Sequence, residues 1–441
     1  MPNPVRAEEY AQRRAQLLEK LGQSTAIFRS APQAIMHNDV EYNFRQDSDF
    51  YYLTGFDEPG AVLVFAPHHG EHQFVMFVRP KDVKAETWSG RRKGVDLAKA
   101  QCGADAVFPI QELDEKLPDY LKQADRIYYR FGQDEGFNAT VIRHWRKLMR
   151  GRQRHGTGPM ALEHSGQLLD GLRLIKSPAE LETLRRAIAI SVEAHNLART
   201  LAKPGLYEYQ IQAEMEYHFR RQGAMGPAYP SIVASGDNAC ILHYVENNRQ
   251  LQAGDLLLID AGCCVDYYNA DITRTFPVDG RFSPEQAILY DLVLAAQTAA
   301  IAAVQPGNPF NSYHDAAVST LVDGFLELGL LQGDKAELIK EEKYKHLYMH
   351  RTGHWLGLDV HDVGSYKHSA EEWRQFQAGQ VVTVEPGIYI RPGIEVPEGQ
   401  PAIPERWQGI GIRIEDDVLV TPEGNEVLTL AVPKQRAELE Q

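Results

Sequence analysis

Acidic side chains occupy positions in apolar β segments where an aliphatic residue would pack better. Asp260 ends the apolar run LLLI, and Asp271 begins the next β segment, DITRTF. Strand alternation places Asp271, Thr273 and Thr275 on one face, whereas Arg274 points to the other. A buried carboxylate is costly unless it has a partner. The two aspartates therefore either bind a divalent cation or serve as structural, turn-capping residues.

Three histidines lie within twelve residues of the segment MHRTGHWLGLDVHDVG: His350, His354 and His361. The first two have the four-residue spacing of a helical metal site. Gly353 and Gly357 disfavour a stable helix, so an extended or looped chain is expected there. A lone histidine is usually structural, but three beside two aspartates predict a functional cluster.

Two further β segments, VVTVEPGIYI and GIGIRIEDDVLVT, each carry a glutamate out of place. Glu385 sits in an apolar strand that Pro386 and Gly387 end or bend. In the second segment, alternation puts Arg413 and Glu415 on one face. Arg413 forms either a plain salt bridge along this strand or a clamp that orients a ligating carboxylate.

Taken together, four carboxylates and one imidazole stand at anomalous positions on successive β segments: Asp260, Asp271, His354, Glu385 and Glu415. This oxygen-rich set favours Mn²⁺ or another borderline-hard divalent ion over a cysteine-rich zinc site. Four negative charges exceed what one ion neutralises. The set therefore predicts two ions, about 3.5–4 Å apart, that share bridging carboxylates and activate a water.

The ordered set resembles the pita-bread metallopeptidases, which include methionine aminopeptidase, prolidase and aminopeptidase P. The motifs are DLLLIDAG, ADITRTF, HWLGLDVHDVG, VEPGIYI and GIRIEDD. The first half resembles the N-terminal domain of bacterial aminopeptidase P at residues 41–64 and 86–94, as does ILHYVEN at residues 241–247. Methionine aminopeptidase lacks this N-terminal domain. Creatinase shares the fold without the ligands, all of which are present here.

The resemblance implies an α/β N-terminal domain and an α+β pita-bread catalytic domain of the creatinase/aminopeptidase type. It implies a hydrolase that removes the N-terminal residue from peptides with proline in second position. Prolidase, which cleaves Xaa-Pro dipeptides, shares the five ligands and remains the alternative. A non-catalytic pita-bread binding protein is a third reading, which the intact ligand set disfavours.

The resemblance also implies roles for the ligands. Asp260 would bind one metal, Asp271 and Glu415 would bridge both, and His354 and Glu385 would bind the second. A hydroxide bridging the metals would be the nucleophile, and Glu385 would accept the proton.

Further roles follow from the same resemblance. His243 and His361 would flank the scissile amide and stabilise the tetrahedral intermediate, and His350 would line the proline side. Arg413 would hold the network of metal ligands. Thr273 would support Asp271, whose strand face it shares.

Two aromatic residues, Tyr229 and Trp88, are expected to line the substrate site, the alternative being ordinary core aromatics. Trp88 lies in ETWSGRRKG, which is predicted to be a loop. The resemblance implies a homotetramer in which this loop edges a neighbouring subunit's cleft. The alternative is that Trp88 packs within its own subunit.

The elements that must position these residues fall into two predicted domains, residues 1–172 and 173–441. The first alternates helices and strands: a helix at 5–21, strands in AVLVFAP, HQFVMFVRP and RIYYRFG, and a basic, Gly-rich, unpatterned stretch at 150–159. The second opens on a capping box from Ser177 to Glu180, with Pro178 at the first helical position. Further helices are expected at 207–222, 284–304 and 312–330.

Composition limits the classes of partner and the cellular location that can be expected. The chain has 441 residues and a formal net charge of -14, which disfavours nucleic acid. Four cysteines form neither a disulfide framework nor a metal finger, so they are expected to be reduced and mostly buried. The N-terminus has no apolar signal region, and no run of 18 apolar residues is present. We therefore expect a cytoplasmic protein without a membrane span, acting on short peptides.

Overall fold

The computed structural model describes residues 7–440, and the chain divides into two compact units between Leu172 and Arg173. Residues 5 and 6 of the predicted first helix, and the start of the segment tested for a signal, lie outside the described residues. Within that description the first helix begins at Ala7 and ends at Leu21.

The N-terminal unit contains helices and a mixed six-stranded sheet. Its helices are α1 (Ala7–Leu21), α2 (Ser48–Thr54), α3 (Val83–Ser89), α4 (Gly94–Cys102), α5 (Leu113–Leu121), α6 (Glu135–His155) and most of α7 (Gly166–Leu174), within which the boundary falls. Its strands are β1 (Thr25–Arg29), β2 (Ile35–His37), β3 (Val40–Glu41), β4 (Val62–Phe65), β5 (Phe74–Val78), β6 (Ala106–Pro109), β7 (Arg126–Tyr128) and β8 (Ala161–Glu163). The order of strands in the sheet is β6-β5-β4-β1-β7-β8. The three strands predicted from AVLVFAP, HQFVMFVRP and RIYYRFG are confirmed as β4, β5 and β7.

Two local predictions in this unit are wrong. The basic stretch at 150–159 is helical as far as His155, because α6 begins on an Asp134 cap and its basic last turn complements the helix dipole. The segment around Trp88 is the short helix α3 rather than a loop, since the Asp82 side chain caps it. Trp88 is 87% exposed, so the alternative that it packs within its own subunit is also wrong.

The second unit combines long helices with short sheets. Its helices are α8 (Pro178–Leu201), α9 (Glu208–Arg221), α10 (Pro284–Ala303), α11 (Ser312–Glu327), α12 (Lys335–Lys340) and α13 (Arg436–Leu439). Its strands are β9 (Gly226–Pro227), β10 (Ile232–Ser235), β11 (Leu256–Asp260), β12 (Cys263–Val265), β13 (Tyr268–Asn269), β14 (Thr273–Pro277), β15 (Val381–Val384), β16 (Gly387–Ile390), β17 (Ile410–Arg413), β18 (Asp416–Thr421) and β19 (Gly424–Val427). The predicted capping box that starts α8 is confirmed.

Strand pairing sets the positions of the acidic residues. Antiparallel β11 and β14 pair Asp260 with Thr273. The segment GIGIRIEDDVLVT, predicted as one strand, is two strands, since β17 pairs with β16 whereas β18 pairs with β15. Glu415 lies at the break between them, where its backbone N–H donates to the carbonyl of Thr273 at 3.0 Å.

One described helix, α10, is long and apolar enough by length and composition to cross a membrane, although its sequence includes two acidic residues. Core helices of soluble proteins meet the same test. Here the inner face of α10 is buried, and Gln297 on that face donates to Asp416 at 2.8 Å. A face that is buried and hydrogen-bonded within the protein is typical of a core helix.

Candidate active site

A cavity of about 820 Å³ in the second unit contains all the predicted metal ligands in its walls. It is lined by Asp260, Asp271, His354, Glu385 and Glu415, together with His243, His350, His361, Tyr229 and Arg413. Ligand-type atoms of Asp271, His354 and Glu415 lie within 4.8 Å of one another. Trp88 and its helix belong to the N-terminal unit.

Two hydrogen bonds orient His354, one through its ring and one through its backbone. Its Nδ1 bonds the carbonyl of Trp355 at 3.0 Å, and its backbone N–H donates to Thr383 Oγ1 at 3.1 Å. Because a carbonyl only accepts, Nδ1 carries a proton, and Nε2 faces the carboxylates. Nε2 lies 3.4 Å from Asp271 Oδ2 and 3.7 Å from Glu385 Oε1.

Tyr229 contacts the acidic residues more directly than a lining residue would. Its hydroxyl lies 2.6 Å from Asp260 Oδ1 and 2.6 Å from Asp271 Oδ1. The phenol bridges the two aspartates, so its removal would leave both with one contact fewer. Sequence reasoning placed Tyr229 at the site but did not predict this bond.

Arg413 connects several parts of the site. Its Nη2 donates to Asp260 Oδ2 at 2.6 Å, its Nε to Thr273 Oγ1 at 3.1 Å, and its Nη1 to the Tyr389 hydroxyl at 3.0 Å. Its carboxylate partner is thus Asp260 across the sheets, and the alternative of a plain salt bridge to Glu415 along one strand is wrong.

Thr273 contacts a different carboxylate from the one expected. Its Oγ1 donates to Glu415 Oε2 at 2.6 Å, whereas the sequence predicted support of Asp271. The break between β17 and β18 explains the difference, since it brings Glu415 against the start of β14. Asp271 is supported instead through its backbone N–H, which donates to Asp417 Oδ2 at 3.2 Å.

Tyr389 is a site residue that sequence reasoning missed. Its hydroxyl bonds His350 Nε2 at 2.7 Å as well as Arg413. Tyr389 lies four residues after Glu385 at the centre of β16, and its ring is buried. A buried tyrosine next to an acidic strand residue needs a polar partner for its hydroxyl, which was the available signal.

The electrostatics of the cluster favour a cation. Burial raises the pKa of Glu385 to about 7, although the charges of His354 and Arg413 oppose the shift. Burial also raises the pKa of Asp260 and, with repulsion from Asp271, that of Glu415. Four carboxylates thus converge with two basic side chains, and divalent cations would relieve their repulsion. The donor set therefore fits a metal centre.

The remaining histidines line the cavity in different surroundings. Burial lowers the pKa of His350 to about 3 and the pKa of His361 below its usual value, so both are neutral near pH 7. The rings of His361 and His354 are 4.2 Å apart between centroids. His243 lies on an exposed loop at the edge of the cavity.

The four cysteines are mostly buried. All are free thiols, and Cys102, Cys263 and Cys264 are buried while Cys240 is partly so. The prediction of reduced and mostly buried cysteines agrees with this arrangement.

Two family descriptions match the chain: metallopeptidase family M24 over residues 182–422, and the aminopeptidase P N-terminal domain over residues 10–128. The Xaa-Pro aminopeptidase of Escherichia coli strain K12 is 41% identical over 438 residues, which is 99% of this chain and 97% of the relative.

Solved structures give the same result. Aminopeptidase PepP of Pseudomonas aeruginosa matches with a TM-score of 0.92 at 48% identity, covering 99% of this chain and 97% of that one. Aminopeptidase P of E. coli with the inhibitor Pro-Leu matches with a TM-score of 0.91 at 40% identity, covering 99% and 97%. The architecture predicted from the sequence, an aminopeptidase P-type N-terminal domain and a pita-bread catalytic domain, is confirmed.

Proposed function

The chain belongs to metallopeptidase family M24, and on this premise we propose that it is an Xaa-Pro aminopeptidase, which releases the N-terminal residue from short peptides with proline second. The observation that carries the proposal is the convergence of five ligand-type side chains in one cavity beside three histidines. The similarity to Xaa-Pro aminopeptidases over almost the whole chain supports it.

The cavity residues suit two divalent cations, held by Asp260, Asp271, His354, Glu385 and Glu415. The donors are four carboxylates and one imidazole, a set that favours Mn²⁺. When bound, such ions would supply Lewis acidity. They would lower the pKa of a water enough for it to lose a proton and attack an amide at neutral pH.

Glu385 is the proposed proton acceptor. In the metal-free site, burial raises the pKa of this carboxylate to about 7. Its Oε2 lies 3.7 Å from His350 Nδ1. A proton taken up by Glu385 is therefore held close to the proline side of the cavity, where the leaving nitrogen needs it.

The other histidines of the cavity and Arg413 act on the substrate and on the site. His243 and His361 are proposed to flank the scissile amide and donate to its oxygen as negative charge develops. His350, held by Tyr389, lines the proline side. Arg413 fixes Asp260 through its fork of donors.

Selectivity for proline follows from the apolar part of the cavity wall. An Xaa-Pro bond has no amide N–H, so a site that requires this donor rejects it. Ile232, Leu242, Val245 and Val360 line the cavity together with Tyr366. These side chains offer the pyrrolidine ring an apolar surface without asking for a hydrogen bond.

Assembly and location are parts of the same proposal. We propose a cytoplasmic homotetramer in which Trp88 of one subunit edges the cleft of another. The support is the almost complete exposure of Trp88 and Val83 on helix α3, which has no buried residue.

Hydrolysis of Arg-Pro-Pro in Mn²⁺ buffer tests the activity, with Asp260→Ala and a chelator as controls. Release of arginine that both controls abolish is expected. No release from protein with confirmed metal content contradicts the proposal. Comparing Gly-Pro with Gly-Pro-Ala separates the alternative, since strong preference for the dipeptide would make the protein a prolidase.

A further inference from the structure

The loop that carries His243 connects β10 to Arg249, and it leaves the His243 ring exposed at the cavity edge. Among the described residues, no hydrogen bond to this ring is present. Side chains on exposed loops have several accessible rotamers, and ordering them costs conformational entropy. The position of His243 therefore depends on how firmly the loop backbone is held.

A buried carboxylate on another element holds this loop. Glu208, the first residue of α9, is fully buried. Its Oε1 accepts from the backbone N–H and the Oγ of Ser235, both at 2.7 Å, and from Asn238 Nδ2 at 3.3 Å. Its Oε2 accepts from the Tyr244 hydroxyl at 2.8 Å and from the Arg249 backbone N–H at 2.9 Å.

These five donors come from the start, the middle and the end of the loop. Ser235 precedes it, Tyr244 is adjacent to His243, and Arg249 ends it. The backbone carbonyl of Arg249 also accepts from the backbone N–H of Glu208 at 3.0 Å. A carboxylate offers only acceptor positions, so it can satisfy all five donors, whereas an amide would place an N–H₂ group against some of them.

Asn247 is a second anchor of the same loop. Its Oδ1 accepts from the Val233 backbone N–H at 2.9 Å, and its Nδ2 donates to the carbonyl of Ser231 at 2.8 Å. Its backbone φ is 45°, in the left-handed region that asparagine tolerates. His243 is thus followed along the loop by two buried side chains, Tyr244 and Asn247.

We infer that Glu208 is a positioning residue for the peptidase reaction: its carboxylate fixes the loop 236–248 and thereby aims His243 at the scissile amide. This inference rests on the proposed function for the role of His243. The fixing of the loop does not, because it is a property of the protein without substrate.

The first experiment measures hydrogen exchange of residues 236–248 in the Mn²⁺-loaded protein and in its Glu208→Gln variant. Faster exchange in the variant is expected, because one carboxylate oxygen that accepts from the loop is replaced by an NH₂ group, which only donates. Glu214→Gln is the matched control: it makes the same charge change at an exposed position of α9 and should leave exchange unchanged. Unchanged exchange in Glu208→Gln would overturn the inference whatever substrate the protein hydrolyses.

The second experiment measures kcat and KM for Arg-Pro-Pro in a double-mutant cycle with His243→Ala. Misplacing a reacting group by about 1 Å can cost on the order of 10²-fold, so Glu208→Gln should lower kcat by up to this factor. If Glu208 acts through His243, the same substitution should have little further effect in the His243→Ala background. Additive losses would show a general structural role and overturn the inference.

Tyr244→Phe keeps the experiment decisive if Glu208→Gln does not fold. It removes a single donor next to His243 and leaves the carboxylate and its other four partners in place. A smaller loss of kcat with the same non-additivity is expected. Tyr217→Phe, at an exposed tyrosine of α9, is its control. If Tyr244→Phe matches this control in both kcat and loop exchange, the inference is wrong.

If the protein hydrolyses no Xaa-Pro peptide at all, the proposed function fails while the exchange result stands.

Discussion

His354 meets the cavity with Nδ1 committed to a backbone carbonyl and Nε2 facing acidic oxygens. Burial alone would lower its pKa, but the hydrogen bond and charge of Asp271, with the charge of Glu385, raise it to about 9 in the metal-free site. The ring is then protonated at pH 7, whereas a metal ligand must be deprotonated. A cation entering the site therefore displaces a proton from His354.

We accordingly predict that Mn²⁺ binding at pH 7 releases about one proton from His354 and a further fraction from Glu385. The apparent affinity should rise by about tenfold per pH unit for each proton released, up to the pKa of His354. Calorimetric titration in buffers with different ionisation enthalpies measures the release. An affinity that does not change between pH 6 and pH 8 would contradict the prediction.

Tyr229 is predicted to support metal binding through its hydroxyl. Tyr229→Phe removes the bond to Asp260 and Asp271 while keeping the ring. Because residues that hydrogen-bond metal ligands typically contribute about 10–100-fold to metal affinity or activity, a loss in this range is expected. Titration with Mn²⁺ measures it. Tyr290→Phe, which removes a buried hydroxyl bonded to the carbonyl of Lys434, is the control and should bind Mn²⁺ normally.

At the scale of single residues, the sequence indicated which side chains converge but not which atoms they contact. Anomalous acids in apolar strands are visible in a sequence because burying them without a partner is costly. The partner of Thr273 depended on a strand break, and the role of Tyr389 depended on the approach of β16 to Arg413. Neither the strand break nor this approach can be inferred from the spacing of residues within one segment.

Glycines at the element scale allow the segments with metal ligands to approach closely. A Cβ on Gly353 would lie 1.9 Å from the backbone carbonyl oxygen of Thr383. This contact is between the His354 segment and β15, where the Thr383 N–H donates to the carbonyl of His354 at 2.9 Å. The sequence expectation of a loop rather than a helix at Gly353 is confirmed.

Gly353→Ala is predicted to separate these segments and to displace His354. Overpacking commonly costs about 1–3 kcal/mol, and here the obstructing atom is backbone, so the upper end is expected together with loss of bound metal. Metal analysis and the melting temperature measure both effects. Gly171→Ala is the control, since a Cβ there meets no atom within 4 Å. Full metal content in Gly353→Ala would show that the close approach is not required.

Asp416 ties the C-terminal segment to the strands of the site. It is fully buried and accepts from Arg274 at 2.7 Å, Thr429 at 2.6 Å and Lys434. Arg274 also donates to the backbone carbonyl of Glu415. Burial would raise the pKa of Asp416, but the charges of Arg274 and Lys434 hold it well below its usual range.

Asp416→Asn is predicted to destabilise the protein by about 3–5 kcal/mol, because it leaves the buried charge of Arg274 uncompensated. The melting temperature by calorimetry reports the change. Asp323→Asn breaks an exposed ion pair to Lys335 and should cost about 1 kcal/mol or less. Equal melting temperatures for the two variants would contradict the prediction.

Elements with strong local signals were predictable, and those set by long-range pairing were not. The Ser177 capping box and the alternation in β4 and β5 are local, and the corresponding elements lie where expected. The single strand predicted across Arg413 and Glu415 fails because β17 and β18 pair with different partners. Alternation within one segment does not say when the neighbouring strand changes.

At the scale of the whole molecule, the first unit leaves apolar side chains exposed on a helix that buries none of its residues. Trp88 is 87% exposed and Val83 is 84% exposed, both on α3. Large exposed aromatic groups are enriched at interfaces, because they bury much area with few rotatable bonds. This exposure in the single chain is the reason for proposing that α3 meets another subunit.

The assembly prediction is therefore a closed homotetramer in which Trp88 completes a neighbour's cleft. Light scattering should give a mass near four times the 49.7 kDa of the chain. Trp88→Ala should weaken the use of Arg-Pro-Pro without lowering metal content, since every metal-ligand candidate lies in the other unit. Leu97→Ala, at an exposed apolar residue of α4, is the matched control and should leave hydrolysis unchanged. A monomer by scattering, or normal hydrolysis by Trp88→Ala, would rule out this role for Trp88, and the metal site would then have to admit and position peptides with the residues of a single chain.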